Sequence, residues 1–282
     1  MFSIVEKRRL NDSMTLMSVE APFIARKAQA GQFIILRVNE YGERIPLTIA
    51  DYDREKGTIT IIYQKVGKTT LLLDTLEVGD AILDFIGPLG KASELEGHKK
   101  VAVIGGGAGC AIAYPQAKAL HNMGVQVDII AGFRSKDIII LEEEMRAVCD
   151  NLYLMTDDGS NGHKGFVTAA LQENIDNGAN YDFVIAIGPL PMMRAVCNLT
   201  KEQNIETMIS MNPIMIDGTG MCGGCRLTVG GETKFACIDG PDFDGHKVDF
   251  DEAMKRLRTY GEQEAEATRE FNCHLMEGAK NA

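Results

Sequence analysis

A chain of 282 residues is long enough for two or three domains. Its composition, 45% hydrophobic and 24% charged, is that of a globular protein and excludes disordered, collagenous and coiled-coil chains. A formal net charge of −11 argues against a general nucleic-acid binder, and no apolar run approaches the roughly 18 residues that span a bilayer.

The N-terminus turns charged within its first few residues and has no signal-peptide core, so a cytoplasmic protein is expected. Residues 33–38, 58–66 and 80–87 are β-branched and aromatic and read as strands. Gly31, Gly42, Gly57, Gly79 and Gly87 punctuate them at intervals suited to a small antiparallel barrel. Gly67-Lys68-Thr69-Thr70 leads into a helix predicted over 69–76 and is a candidate phosphate cradle, or else a plain helix cap. Before that helix, Arg44 and Thr48 are an even number of residues apart, so a strand would point both to one face. Arginine suits a diphosphate and threonine a ring nitrogen, although local sequence alone favours an ordinary surface Arg and a strand Thr.

The pattern changes near residue 98. A buried strand at 101–104 runs into Gly105-Gly106-Gly107-Ala108-Gly109 and a helix over 111–123. Strand and helix then alternate: 125–133, 141–149, 151–156, 165–175 and 183–188. That alternation predicts a parallel sheet with crossover helices. A glycine turn before a helix offers N–H groups and partial positive charge to a phosphate. Gly105-x-Gly107 fits the dinucleotide fingerprint, but its third position is Cys110. Asp128 lies at the spacing of a ribose-binding carboxylate, yet inside a strand. Asp157, within Thr156–Ser160, and Gly188-Pro189 with Met192 and Met193 fall where later strands end, the edge at which open α/β sheets bind ligands.

Seven cysteines are an odd number, and Cys222, Cys225 and Cys237 fall in one short stretch. Gly230-Gly231 suits a two-residue hairpin turn. In that register Cys225 faces Ala236, and Cys237 returns beside Gly224. The spacing C-x4-C-x2-C with a later Cys holds plant-type iron–sulfur clusters. Here the last three positions are Cys222, Cys225 and Cys237, and the first is Asp217. Zinc is the alternative, with His246 as a fourth ligand. Residues 251–282 are charged and helix-permissive and read as a solvated or partner-facing tail.

Barrel, nucleotide domain and cysteine loop, in that order, resemble the ferredoxin–NADP reductase-like electron-transfer subunits related to that of dihydroorotate dehydrogenase. Asp217 in place of the first cysteine is similar to the small subunits of NADH-dependent reduced ferredoxin:NADP oxidoreductases, also called sulfide dehydrogenase β subunits. The resemblance implies FAD, a 2Fe–2S cluster and NAD(H). It implies that Arg44 holds FAD phosphate, that Pro46, Leu47 and Thr48 line the isoalloxazine, with Thr48 at the reacting ring, and that Gly67, Thr69 and Thr70 meet the diphosphate. Gly105, Gly106, Gly107, Ala108, Gly109, Asp157, Gly188, Pro189 and Met192 would form the nicotinamide site, and Asp217, Cys222, Cys225 and Cys237 the cluster ligands. It further implies an electron-bifurcating heterodimer, in which a large subunit carries flavin, 4Fe–4S clusters and NADP(H), and ferredoxin reacts through the complex.

The expected domains are a barrel at 1–98, an α/β domain at 99–210, a cluster segment at 211–245 and a tail at 246–282. Three alternatives stay open: the dihydroorotate dehydrogenase electron-transfer subunit, a non-catalytic zinc-binding interaction module, and NADP(H) in place of NAD(H), for which Arg134 follows the second strand of the α/β domain.

Overall fold

The computed structural model describes the backbone of residues 1–280 and the side chains through Phe271. The expected tail runs beyond them, so Asn281, Ala282 and the Cys273 side chain lie outside the described residues. Strands β1 (Phe2–Arg9), β2 (Met14–Glu20), β3 (Phe33–Arg37), β4 (Ile45–Asp53), β5 (Thr58–Gln64), β6 (Ala81–Ile82) and β7 (Asp84–Leu89) form one antiparallel sheet, ordered β6-β1-β2-β5-β4-β3-β7. It curls into a nearly closed barrel, interrupted by α1 (Pro22–Ala25) and α2 (Lys68–Asp74). Alternation decides its interior. Ile34 and Leu36 of β3 and Ile59, Ile61 and Tyr63 of β5 point into one core.

The second unit runs β8 (Lys100–Gly106), α3 (Cys110–Asn122), β9 (Gln126–Phe133), α4 (Glu142–Arg146), β10 (Asn151–Thr156), α5 (Val167–Asp176), β11 (Phe183–Ile187), α6 (Leu190–Glu202) and β12 (Glu206–Ser210). Its strands are parallel, in the order β10-β9-β8-β11-β12. Helices cover both faces, so β8 and β11 are continuously apolar rather than alternating.

The remaining chain is more integrated than a loop and a tail. β13 (Arg226–Val229) and β14 (Glu232–Phe235) make the expected hairpin, with Gly230 and Gly231 both at positive φ. α7 (Ala236–Asp239) follows, and β15 (Asp242–Asp244) adds antiparallel to β12 at the edge of the parallel sheet. α8 (Phe250–Leu257), where charge suggested a tail, buries Phe250 and Ala253, and α9 (Gly261–Lys280) extends from it. No helix of the described residues is long and apolar enough to cross a membrane.

Two polar seams tie barrel to sheet. Lys118 Nζ of α3 donates to both oxygens of Asp51 in β4, at 2.8 and 2.7 Å. Deeper in, the carboxylate of half-buried Asp242 accepts from Ser93 Oγ at 2.5 Å and from Gln116 Nε2 at 3.2 Å. Asp242 Oδ1 and Gln116 Oε1 are buried acceptors without a partner among the described residues. Burial pushes the Asp242 carboxyl up from 3.8 to about 6. A raised acid holds its proton more tightly in the folded chain than in the unfolded one. Its stabilising contribution is therefore complete below about pH 4 and is lost as pH rises through about pH 6. Asp242→Asn keeps the site neutral at every pH. Urea unfolding at about pH 4 and about pH 8 should show a smaller loss for the variant, by up to about 3 kcal/mol. Equal losses in both proteins would rule this out.

Candidate functional site

The carboxyl ends of β8 and β11 lie side by side, with Gly105 opposite Ile187. Gly107, at φ 55, opens a 3-10 turn through Gly109 that feeds α3. This turn and the Gly188–Met192 turn close on each other. A Cβ on Gly106 would meet Met192 Sδ and Pro189, and one on Gly109 would meet the carbonyl of Ile187. Around Gly188, Met192 Cε would stand at 2.8 Å and Gly106 Cα at 3.1 Å. Ala108 is half-buried at the turn, and Met193 is buried beneath it. Cys110 fills the space over Gly105, and burial pushes its thiol up to about 12, so it packs and stays protonated.

Asp157 and Asp158 are exposed at the end of β10. Their N–H groups donate to the carbonyls of Phe133 and Arg134, which brings the two loops together. Exposed Phe166 stands at the entrance to α5, just beyond this loop; sequence reading overlooked it, and its signal was a lone aromatic before a helix. Asp128 sits elsewhere. It is buried near the amino end of β9, accepting from Asn151 Nδ2 at 2.7 Å and from Tyr181 OH at 2.8 Å. Spacing alone made it a ribose candidate, and its place in the strand removes it.

On the barrel, β3 and β4 pair Phe33 with Thr48, Ile34 with Leu47 and Ile35 with Pro46. Pro46 and Thr48 thus share the face of Phe33 and Ile35, which turns toward the nucleotide unit. Leu47 points the other way, into the barrel core, leaving only its backbone for the shared face. Arg44 is exposed, with Nη2 3.9 Å from Asp84 Oδ2, an oxygen already held by Arg37 Nε at 2.7 Å. Most of its guanidinium fork is therefore uncommitted. At the start of α2 the Thr70 hydroxyl accepts the Gly67 N–H at 3.1 Å, and Thr69 is buried.

The cysteine loop brings its four candidate ligands together in two pairs. The Asp217 carboxylate accepts the N–H groups of Thr219 and Cys222, each at 2.8 Å, and lies within reach of the Cys222 thiol. The Thr219 amide, with the Cys222 amide, holds its carboxyl below the usual range. Cys225 and Cys237 are buried and in side-chain contact, and burial foremost pushes the Cys237 thiol up to about 12. Hairpin register places Cys225 opposite Ala236 as expected, but the strand ends at Phe235. Cys237 therefore arrives on the turn of α7 against Cys225, not beside Gly224 on an extended strand.

Among the described residues no group of three or more His, Cys, Asp or Glu could hold a single metal ion. Two pairs suit a centre with two irons. His246 is engaged elsewhere, with Nε2 3.0 Å from Thr200 Oγ1. Arg226 and Arg256, which sequence reading passed over, donate to the carbonyls of Gly223 and Gly224 at 3.1 and 3.2 Å and brace the loop.

The chain is similar to known redox proteins. Residues 212–249 match the iron–sulfur cluster binding domain of dihydroorotate dehydrogenase B, and residues 103–198 match the oxidoreductase NAD-binding domain. An uncharacterized protein in the adh 3′ region of Clostridium beijerinckii is 51% identical, over 99% of this chain and 98% of its own. A dihydroorotate dehydrogenase B (NAD(+)) electron transfer subunit homolog of Thermotoga maritima is 44% identical, over 93% of this chain and 92% of its own. A chain from the structure of an NADH-dependent reduced ferredoxin-NADP oxidoreductase, solved for insight into flavin-based electron bifurcation, superposes with a TM-score of 0.91 at 42% identity, covering 96% of this chain and 98% of that one.

The tight turns make one outcome specific. Gly109→Ala sets a methyl against the backbone of Ile187, which cannot rotate away. Overpacking of this kind costs about 1–3 kcal/mol. Denaturant unfolding should register that loss, and a wild-type midpoint would refute the packing argument.

Proposed function

This chain belongs to the family of dihydroorotate dehydrogenase B electron-transfer subunits, flavin and iron–sulfur oxidoreductases, and we propose that it is the NAD(H)-facing subunit of an electron-bifurcating NADH-dependent ferredoxin:NADP oxidoreductase. The observation that carries this reading is the donor set: Asp217 with Cys222, and Cys225 with Cys237, two pairs on one loop with a carboxylate in the first position.

Bound FAD would supply the exchange between a two-electron hydride and single electrons that nicotinamide and cluster each lack. The chain's own residues would bind and orient. Arg44 offers its free fork to a diphosphate, with Gly67, Thr69 and Thr70 shaping the second turn. Pro46 presents an apolar edge to the ring and Thr48 a hydroxyl that can donate to or accept from a ring nitrogen, so Thr48 is the candidate residue at the reacting atoms. Leu47 contributes through its backbone. Gly105, Gly106, Gly107, Ala108 and Gly109 give the nucleotide close backbone approach, while Gly188, Pro189 and Met192 wall the same opening. Asp157 suits a ribose hydroxyl and repels a 2′-phosphate, which favours NAD(H) over NADP(H).

The remaining described cysteines, Cys110, Cys149 and Cys197, are scattered, and their thiols are all raised by burial. Any 4Fe–4S centres of the complex would therefore belong to a larger flavin-bearing partner that also takes NADP(H) and ferredoxin. Barrel 1–98, nucleotide unit 99–210 and cluster segment 211–245 divide the work, and 246–282 supports them through α8, whose Arg256 braces the cluster loop.

Anaerobically purified protein should contain FAD, iron and acid-labile sulfide, and NADH should bleach the flavin band faster than NADPH. Colourless protein would end the proposal, and co-purification of an orotate-forming subunit would move it to dihydroorotate oxidation. Asp217→Cys should keep the iron content and shift the cluster's reduction potential; an unchanged potential would remove Asp217 from the ligand set. Asp157→Asn should raise the NADH concentration needed for half-maximal flavin reduction by about 10–100-fold, from a charge-assisted hydrogen bond worth about 1.5–3 kcal/mol. Unaltered NADH dependence would exclude Asp157 from the ribose.

A further inference from the structure

The cluster loop presses on the barrel at a point where it carries no side chain. Gly218 follows Asp217, is buried, and holds φ at 74. A Cβ there would stand 2.7 Å from Ile35 Cδ1 and 2.8 Å from Leu89 Cδ1, too close to be accommodated without movement. The two side chains it faces connect directly to the proposed flavin strand. Ile35 is the ladder partner of Pro46, and Leu89 is the partner of Phe33, which pairs with Thr48. Such cross-strand partners stand about 4.5–5.5 Å apart on one face. One layer of side chains thus separates the backbone beside a cluster ligand from the strand that would carry the flavin. Gly220, two residues on, is held from another side, with Ile238 Cδ1 at 2.6 Å from where its Cβ would be.

We infer that Gly218 is a positioning residue that sets the separation between flavin and cluster, and with it the rate at which single electrons cross. This rests on the flavin and cluster sites proposed above. The step moves one electron from reduced flavin to the oxidised iron pair, or back, and no atom or bond is transferred between them. Electron tunnelling falls exponentially with distance, so displacing the loop by part of a methyl group's thickness slows the crossing steeply. Positive φ alone would admit an asparagine. A side chain there would also have to push aside the methyl ends of Ile35 and Leu89 or lift the loop off them, so space as well as backbone conformation favours glycine.

The test uses the holoenzyme. A flash-generated deazaflavin reductant injects one electron, and its equilibration between flavin and cluster is followed by absorbance. Iron, sulfide and flavin contents and the cluster's electron paramagnetic resonance spectrum are recorded alongside. Gly218→Ala should slow equilibration several-fold while contents and spectrum are retained. Adding Leu89→Ala, which clears one of the two opposing methyl ends, should restore part of the rate. Leu89→Phe alone, which crowds the same contact from the barrel side, should also slow it.

Wild-type rates in Gly218→Ala and Leu89→Phe overturn the inference. So does slowing in Gly218→Ala that Leu89→Ala leaves untouched, since backbone strain would then be the cause. Should Gly218→Ala lose its cluster, Leu89→Phe decides alone: slower equilibration upholds the inference and a wild-type rate overturns it. Wild-type protein lacking flavin and cluster overturns the functional reading and this inference together, whereas normal contents with unchanged rates overturn only the inference.

Discussion

One apolar core runs through all three functional parts of the molecule. Phe33 and Ile35 enter it from the barrel, Ala102, Ile104, Val184 and Ala186 from the parallel sheet, and Cys225, Leu227, Ala236 and Cys237 from the cysteine hairpin. Burying a side chain of this size is worth about 1.5–3 kcal/mol. The exposed-edge ion pair between Lys118 and Asp51 contributes about 1 kcal/mol or less. Apolar continuity therefore sets the relative placement of the parts, and the ion pair trims it. Centres that exchange single electrons need a fixed separation, and a shared core supplies it where a linker would not.

The parallel sheet was legible because its signal is local. Continuous apolar strands bounded by glycine turns announce a sheet buried on both faces, and strand 151–156 was read to the residue. The first two strands were missed. Glu6, Lys7, Arg8 and Arg9 interrupt the apolar pattern of β1, although Ile4 of the same strand is fully buried. The same composition hides the inner face of α8, a stretch that reads as helix-permissive, where Asp251, Glu252, Lys255 and Arg256 surround the buried Phe250 and Ala253. Charge on an outer face says little about what the inner face does.

Site residues divide along a similar line. The hairpin register around Gly230 and Gly231, and so the opposition of Cys225 and Ala236, followed from turn chemistry. The two-residue strand period sets Leu47 on the face opposite to Pro46 and Thr48, so the three do not share one surface. The bracing arginines and the Gly218 contact could not be read at all, because each depends on which distant segment arrives opposite. Arg256 reaches Gly224 across 32 residues, and Gly218 meets Ile35 from beyond the whole parallel-sheet unit.

The two ligand pairs also differ in wetness, which explains where a carboxylate can stand. Cys225 and Cys237 are each 2% exposed, inside the shared core. An ionised carboxylate at either place would lose its hydration for a cost of several kcal/mol. Asp217 is half-buried and Cys222 exposed, and two backbone N–H groups already stabilise the Asp217 charge. A hard oxygen donor is thus tolerated at position 217, the proposed first ligand, and disfavoured at 225 and 237. Were a two-iron cluster held by these four residues, Asp217 and Cys222 would hold its solvent-facing side and Cys225 and Cys237 its buried side, so exchanging Asp217 for a thiolate would alter the side that water and amide dipoles reach.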